Sequence, residues 1–227
     1  MILGRDLRYV FVQVPQTGST AVGSWLCDHY GGEPVLEKHA TIIEARHRLG
    51  RELDGCVVIV SIRDTYDQLI SSYYKAHHGY HNASAGFRAL RHDRSRWVSE
   101  HDASLPEFVD RFARRILAPV HALSLRRADI VLRRESLGAD VAELGHVLGD
   151  ARPPVLPRRN ATRRPTVVLE HALSADQMHR VERLHRPFRY EFGYTEVPPS
   201  ATDRAAYETL LHLKHAERRL ARWLKGS

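Results

Sequence analysis

Residues 8–14 (RYVFVQV), 56–62 (CVVIVSI) and 129–133 (DIVLR) are short runs of β-branched and aromatic side chains. Such runs predict strands, and the unbroken apolar character of 56–62 predicts one buried on both faces of a parallel sheet. The apolar residues that precede Arg8 read as part of that first buried strand. Between the runs lie predicted helices: 17–30, stopped by Gly31-Gly32; an amphipathic 41–49, ending at Gly50; and 66–75. A helix is also predicted near 139–148, after the third strand. Ser104-x-x-Glu107 has the form of a capping box opening a helix towards Leu125, kinked or split at Pro119. Ser174-x-x-Gln177 caps another, and 202–225 forms a final long helix. Residues 77–102 lack periodicity and read as a long loop with short helical turns, and 151–165 as a proline-rich basic linker. Strands alternating with helices predict an α/β three-layer sandwich with a mainly parallel central sheet.

With 227 residues, 43% of them hydrophobic, the chain suffices for one sizeable core. The expected organisation is a domain over residues 1–200, with residues 201–227 as an amphipathic helix packing on it or on a partner subunit in a homodimer. No apolar run approaches the roughly 20 residues that cross a bilayer, and the N-terminus lacks the layout of a signal peptide. A cytoplasmic location is therefore expected, with Cys27 and Cys56 as core-filling thiols. The sequons at Asn82 and Asn160 are chance matches on this reading. A net charge of +7 calls for an anionic partner: nucleic acid, a polyanionic nucleotide or an anionic glycan.

Two stretches narrow that choice. In VPQTGST, Gly18 lets a backbone approach an anion closely, and Thr17, Ser19 and Thr20 add hydroxyls where a strand turns into a helix. The unpaired amides at such a turn face an anion with the helix dipole behind them. The same residues would also serve as an ordinary helix N-cap. In SIRDTYDQLISSYYK, Arg63 ends a strand and Ser71 stands two turns along the next helix, where both can converge on one anion. A planar arginine fork suits phosphate, whereas a surface pair of Arg63 with Asp64 or Asp67 needs no ligand. Both motifs fall at one sheet edge, which favours two phosphate sites in a P-loop-like strand–turn–helix frame. The Gly-x-x-x-x-Gly-Lys-Ser/Thr pattern of P-loop kinases is absent.

Together the motifs resemble those of the sulfotransferases that use 3'-phosphoadenosine 5'-phosphosulfate (PAPS), in their carbohydrate-type branch. VPQTGST is similar to that family's 5'-phosphosulfate loop, and IRDTYDQLISSYY to its 3'-phosphate motif. EKHATIIEARHRLG and YEFGY add weaker likenesses, so the match runs from about Val10 to Tyr194. The resemblance implies that Gln16, Thr17, Gly18, Ser19 and Thr20 hold the 5' side of PAPS and that Arg63 and Ser71 hold the 3'-phosphate. It implies His39 as the base for a hydroxyl acceptor, most simply a carbohydrate. No metal is implied; the product would be adenosine 3',5'-bisphosphate (PAP).

Gln16 stands where the family carries a lysine that donates a charged hydrogen bond to the departing oxygen. Charge-assisted bonds are about twice as strong as neutral ones. Either Lys38, or Arg163 and Arg164 of the basic linker acting as a lid, supplies the cation; or the helix terminus carries more of the charge; or PAPS is bound without turnover. Among the other signals, His77 and His81 are spaced for a metal, but Gly79 interrupts the helix and no acidic or thiol ligand is near. Trp97 offers a stacking face for a sugar or belongs to an exposed charged helix. The basic final helix is compatible with a nucleic-acid-binding module, although no such motif is present and no nucleic-acid partner is expected.

Overall fold

The five strands of the sheet stand in the order β3-β1-β2-β4-β5 in a computed structural model that describes residues 1–78, 93–116, 121–149, 155–157 and 166–226. Strand β1 is Ile2–Gly4, β2 Tyr9–Val12, β3 Gly32–Pro34, β4 Val57–Ile62 and β5 Ile130–Arg133. Strands β2, β4 and β5 are parallel, with Val10 opposite Val58 and Val60 opposite Val131; β2 and β4 are buried, while β5 is a half-buried edge strand. The other half of the sheet is antiparallel: β1 pairs with β2 and with β3. The fold is thus α/β with a mixed sheet, which corrects the expected mainly parallel one. The N-terminal apolar run is not continuous with β2. It folds back at a polar turn over Arg5–Arg8, where Arg8 takes a φ of 50°. Gly32, expected only to stop a helix, begins the short edge strand β3.

The chain divides into two compact units, residues 1–63 with 120–159, and residues 64–119 with 160–227. The first contains the sheet with helices α1 Ser19–His29, α2 Ile42–Leu49, α6 Ala122–Leu125 and α7 Leu137–Val147. Its core gathers Tyr9, Phe11, Trp25, Leu26, Ile59 and Leu132. Gly4 is required there because the Tyr9 ring lies across it: a Cβ would fall 2.1 Å from a ring carbon. The Tyr9 hydroxyl then donates to the Tyr30 carbonyl at 3.1 Å, tying the hairpin to the end of α1. Cys27 and Cys56 are free and half-buried.

The second unit contains α3 Thr65–His78, α4 Asp93–His101, α5 Leu105–Ile116, α8 Leu169–Ala172, α9 Ala175–Glu191 and α10 Ala201–Gly226. Ser174 and Gln177 form the expected capping box. At α5, the Ser104 amide and hydroxyl both donate to the Glu107 carboxylate. Within 77–102, residues 77–78 continue α3 and 93–101 form α4, replacing the expected loop there. Trp97 is neither a lone platform nor on a bare charged face: it meets Phe112 edge-on at 5.3 Å and lies under the Arg111 guanidinium at 5.0 Å. Helix α10 packs on α9 with Tyr207 and Leu211 buried, and Arg183 pairs with Asp203 across the two. Among the described residues no helix is long and apolar enough to cross a membrane.

His185 of α9 is fully buried beside Tyr66, and neither ring nitrogen meets a hydrogen-bond partner among the described residues. Burial, with the Arg189 cation adding to it, lowers its pKa to about 3 from 6.5. The folded state therefore keeps it neutral while the unfolded chain protonates it, so its contribution to stability is complete above about pH 6.5 and declines as pH falls towards 3.

Gly4→Ala is expected to cost about 1–3 kcal/mol by overpacking, read as a lower chemical-denaturation midpoint. His185→Leu is expected to stabilise the protein by about 1 kcal/mol, because two unpartnered polar atoms leave the core. It should also shrink the loss of stability between pH 6 and 4, as measured by denaturation at each pH.

Candidate functional site

The turn between β2 and α1 is closed by its own hydroxyls. The Val14 carbonyl accepts from Thr17 Oγ1 at 2.8 Å and from Ser19 Oγ at 2.7 Å. The Thr17 oxygen lies 2.6 Å from Ser61 Oγ of β4; with the Thr17 proton directed at Val14, Ser61 is the donor. Thr17 is 1% exposed and Ser19 3%, so these hydroxyls shape the turn from inside. Among the described residues no hydrogen bond takes up the amides of Gly18, Ser19 and Thr20.

Two residues of the turn are left-handed, Gly18 at φ 81° and Gln16 at φ 66°. Glycine adopts this conformation freely, whereas a side chain such as that of Gln16 makes it costly by about 1–2 kcal/mol. An arginine holds Gln16 there: Arg63, just past β4 and only 9% exposed, donates from Nη1 to the Gln16 carbonyl at 2.9 Å. Gly18 caps α1 with its carbonyl, which accepts from the Ala21 amide at 2.9 Å. It also packs beneath the segment that follows β5. A Cβ on Gly18 would stand 2.8 Å from Leu137 Cδ2 and 3.3 Å from Arg134 Cδ.

Lys38 and His39 arrive from the segment before α2. Lys38 Nζ donates to Thr20 Oγ1 at 2.7 Å, and desolvation lowers the pKa of its ammonium. The Thr20 hydroxyl, having accepted that bond, still has a proton to donate. His39 Nδ1 lies 2.7 Å from the Gln13 carbonyl, which can only accept. Nδ1 therefore carries the proton, and Nε2 is the basic nitrogen. Gln13 itself had no signal in the sequence beyond lying at the end of a strand. Its side chain donates to the Ser19 carbonyl at 3.2 Å and accepts from the Met1 ammonium at 3.2 Å. That ammonium also donates to the carbonyls of Glu37 and Lys38, at 3.2 and 3.3 Å. Gly23 leaves room for the Gln13 amide, which a Cβ would approach to 2.7 Å.

The first unit thus brings together Gln16, Thr17, Gly18, Ser19, Thr20, Lys38, His39 and Arg63. Ser71 lies on α3 of the second unit and is buried. Asp64, which follows Arg63 in the motif, pairs with Arg189 at 3.1 Å, and the Arg189 guanidinium lies 3.8 Å from the centre of the Tyr66 ring. Arg163, Arg164 and His81 lie outside the described residues. Among the described residues no three His, Cys, Asp or Glu side chains are grouped to hold a metal ion.

Thr17→Val is expected to cost about 1–3 kcal/mol, since it leaves the buried Ser61 hydroxyl without its acceptor and the Val14 carbonyl with only its bond from Ser19. Ser61→Ala, which leaves the Thr17–Val14 bond intact, should cost less. Denaturant unfolding of the two variants checks the order. No protein-family model, no curated protein and no solved structure matches this chain.

Proposed function

We propose that the chain is a PAPS-dependent O-sulfotransferase with a P-loop-like turn in a three-layer α/β frame. The observation that carries this reading is the hydrogen bond from Arg63 to the Gln16 carbonyl. It joins the two motifs whose order resembles the sulfotransferases, through residues that follow neighbouring parallel strands. The amides of Gly18, Ser19 and Thr20 suit the 5'-phosphosulfate and the Arg63 guanidinium the 3'-phosphate; for Ser71, in the other unit, that role rests on the resemblance alone.

Sulfuryl transfer needs a base on the acceptor side and positive charge on the leaving side. His39 Nε2 takes the proton of the acceptor hydroxyl as the acceptor oxygen bonds to sulfur. The bond from sulfur to the 5'-phosphate oxygen breaks, and that oxygen keeps the electron pair as PAP departs. The α1 amides and the Lys38 ammonium contribute to stabilising the charge that forms there. A carbohydrate hydroxyl as acceptor completes the reading by resemblance; a cytoplasmic setting and pairing of two copies through the amphipathic α10 complete it from the character of the sequence. Binding of PAPS or PAP without turnover is the second reading, favoured by the neutral Gln16 side chain alone.

Calorimetric titration with PAP, ADP and ATP tests the proposal. PAP is expected to bind at least about tenfold more tightly than ADP, and Arg63→Ala to remove the preference, since a charged hydrogen bond is worth about 1.5–3 kcal/mol. Equal affinities for PAP and ADP would overturn it. His39→Ala should lower sulfuryl transfer from labelled PAPS by about 10²-fold or more with PAP affinity unchanged; transfer by wild-type protein to no hydroxyl acceptor would leave the binding reading in place.

A further inference from the structure

Resting on the sulfotransferase reading, we infer that Arg134 supplies the cation on the leaving-group side that Gln16 cannot. Arg134 follows β5 directly, and its amide is anchored to the Ile62 carbonyl at the end of β4 at 2.8 Å. Its side chain runs over Gly18: Cδ and Nε lie 3.3 and 3.7 Å from where a Cβ on Gly18 would stand. The stem reaches that position because residue 18 has no side chain. The guanidinium is exposed, and it has no ion pair or hydrogen bond among the described residues.

The surrounding charge points the same way. The first turn of α1 carries no acidic residue. Lys38 reaches the same turn at Thr20, so two cations meet the stretch from Gly18 to Thr20 from separate segments of the chain. Arg63, the third cation nearby, is nearly buried and donates to the turn's own backbone. Lys38 has already given one of its three protons to Thr20, whereas the whole Arg134 fork is available for two parallel bonds to a phosphate. A cation entering from β5 stands in for one carried within the turn, and a neutral glutamine at position 16 is then tolerated. In the transfer step Arg134 bears on the 5'-phosphate oxygen that receives the electron pair when the sulfur–oxygen bond breaks.

The role predicts a ligand-dependent defect that a structural role would not produce. Titrations compare PAP with adenosine 3'-monophosphate, which lacks the 5'-phosphate. Arg134→Ala is expected to weaken PAP by about tenfold to a hundredfold, the size of a lost charged hydrogen bond, and to leave adenosine 3'-monophosphate unchanged. Arg134→Lys should keep part of the affinity. Adding Gln16→Lys to Arg134→Ala should recover PAP binding, because the charge returns from within the turn. Unchanged PAP affinity in Arg134→Ala, or equal losses for both nucleotides, would overturn the inference while leaving PAP selectivity, and the sulfotransferase reading, intact. Wild-type protein that does not distinguish PAP from ADP would overturn that reading and this inference with it.

Discussion

The candidate site depends on how two backbone carbonyls are satisfied after the chain leaves the sheet. Val14 and Gln16 have passed the last ladder position of β2, so their carbonyls need new partners. Thr17 and Ser19 supply them for Val14, and Arg63 supplies one for Gln16. An unpaired buried carbonyl costs about 1–3 kcal/mol, so these bonds hold the turn in one shape. With these carbonyls satisfied, the turn keeps the amides of Gly18, Ser19 and Thr20 unbonded among the described residues. Ser61 extends the same network into β4, which ties the strand to the turn.

That tie leaves the charge at the candidate site to other groups. With the Thr17 and Ser19 hydroxyls occupied inside, the backbone amides and the surrounding cations are the polar groups left at the turn. Lys38 comes from the segment before α2, Arg63 from the end of β4 and Arg134 from the end of β5. Three separated segments thus bring positive charge to a turn that contains none of its own. Long-range placement of cations follows from the parallel half of the sheet, where the C-terminal ends of β2, β4 and β5 lie side by side. The antiparallel half serves a different end: with Gln13, the Met1 ammonium holds the carbonyls of Glu37 and Lys38 and so steadies the segment that carries Lys38 and His39.

The second unit is organised by aromatic packing. Tyr73, Phe108, Phe112 and Trp97 meet at ring separations of 5.0 to 5.5 Å. Its polar weak point is His185, a buried neutral imidazole whose ring nitrogens meet no hydrogen-bond partner among the described residues. Arg189 lies one turn further along the same helix. There a cation is accommodated because the Tyr66 ring and the Asp64 carboxylate both receive it.

The parallel strands, the helices between them and the turn with its glycine and hydroxyls were legible in the chain itself. Each of these is a local preference: unbroken β-branched runs, capping residues such as Ser104 and Ser174, and a glycine where φ must be positive. The hairpin of β1 and the edge strand β3 were not legible, because three-residue strands show no periodicity and gain their stability from the neighbour they pair with. Helix α4 was hidden among charges, since its apolar contribution is largely Trp97 and Val98. At the site, sequence proximity identified Gln16 to Thr20 and Arg63, but not what their polar atoms would do. The hydroxyls of Thr17 and Ser19 turned inward, and Gln13 and Arg134 joined the site from positions with no motif. Only tertiary structure decided this, because a hydrogen bond or a charge contact forms between whichever groups the sheet brings within about 3 Å, and that meeting is set by strand order rather than by neighbouring residues.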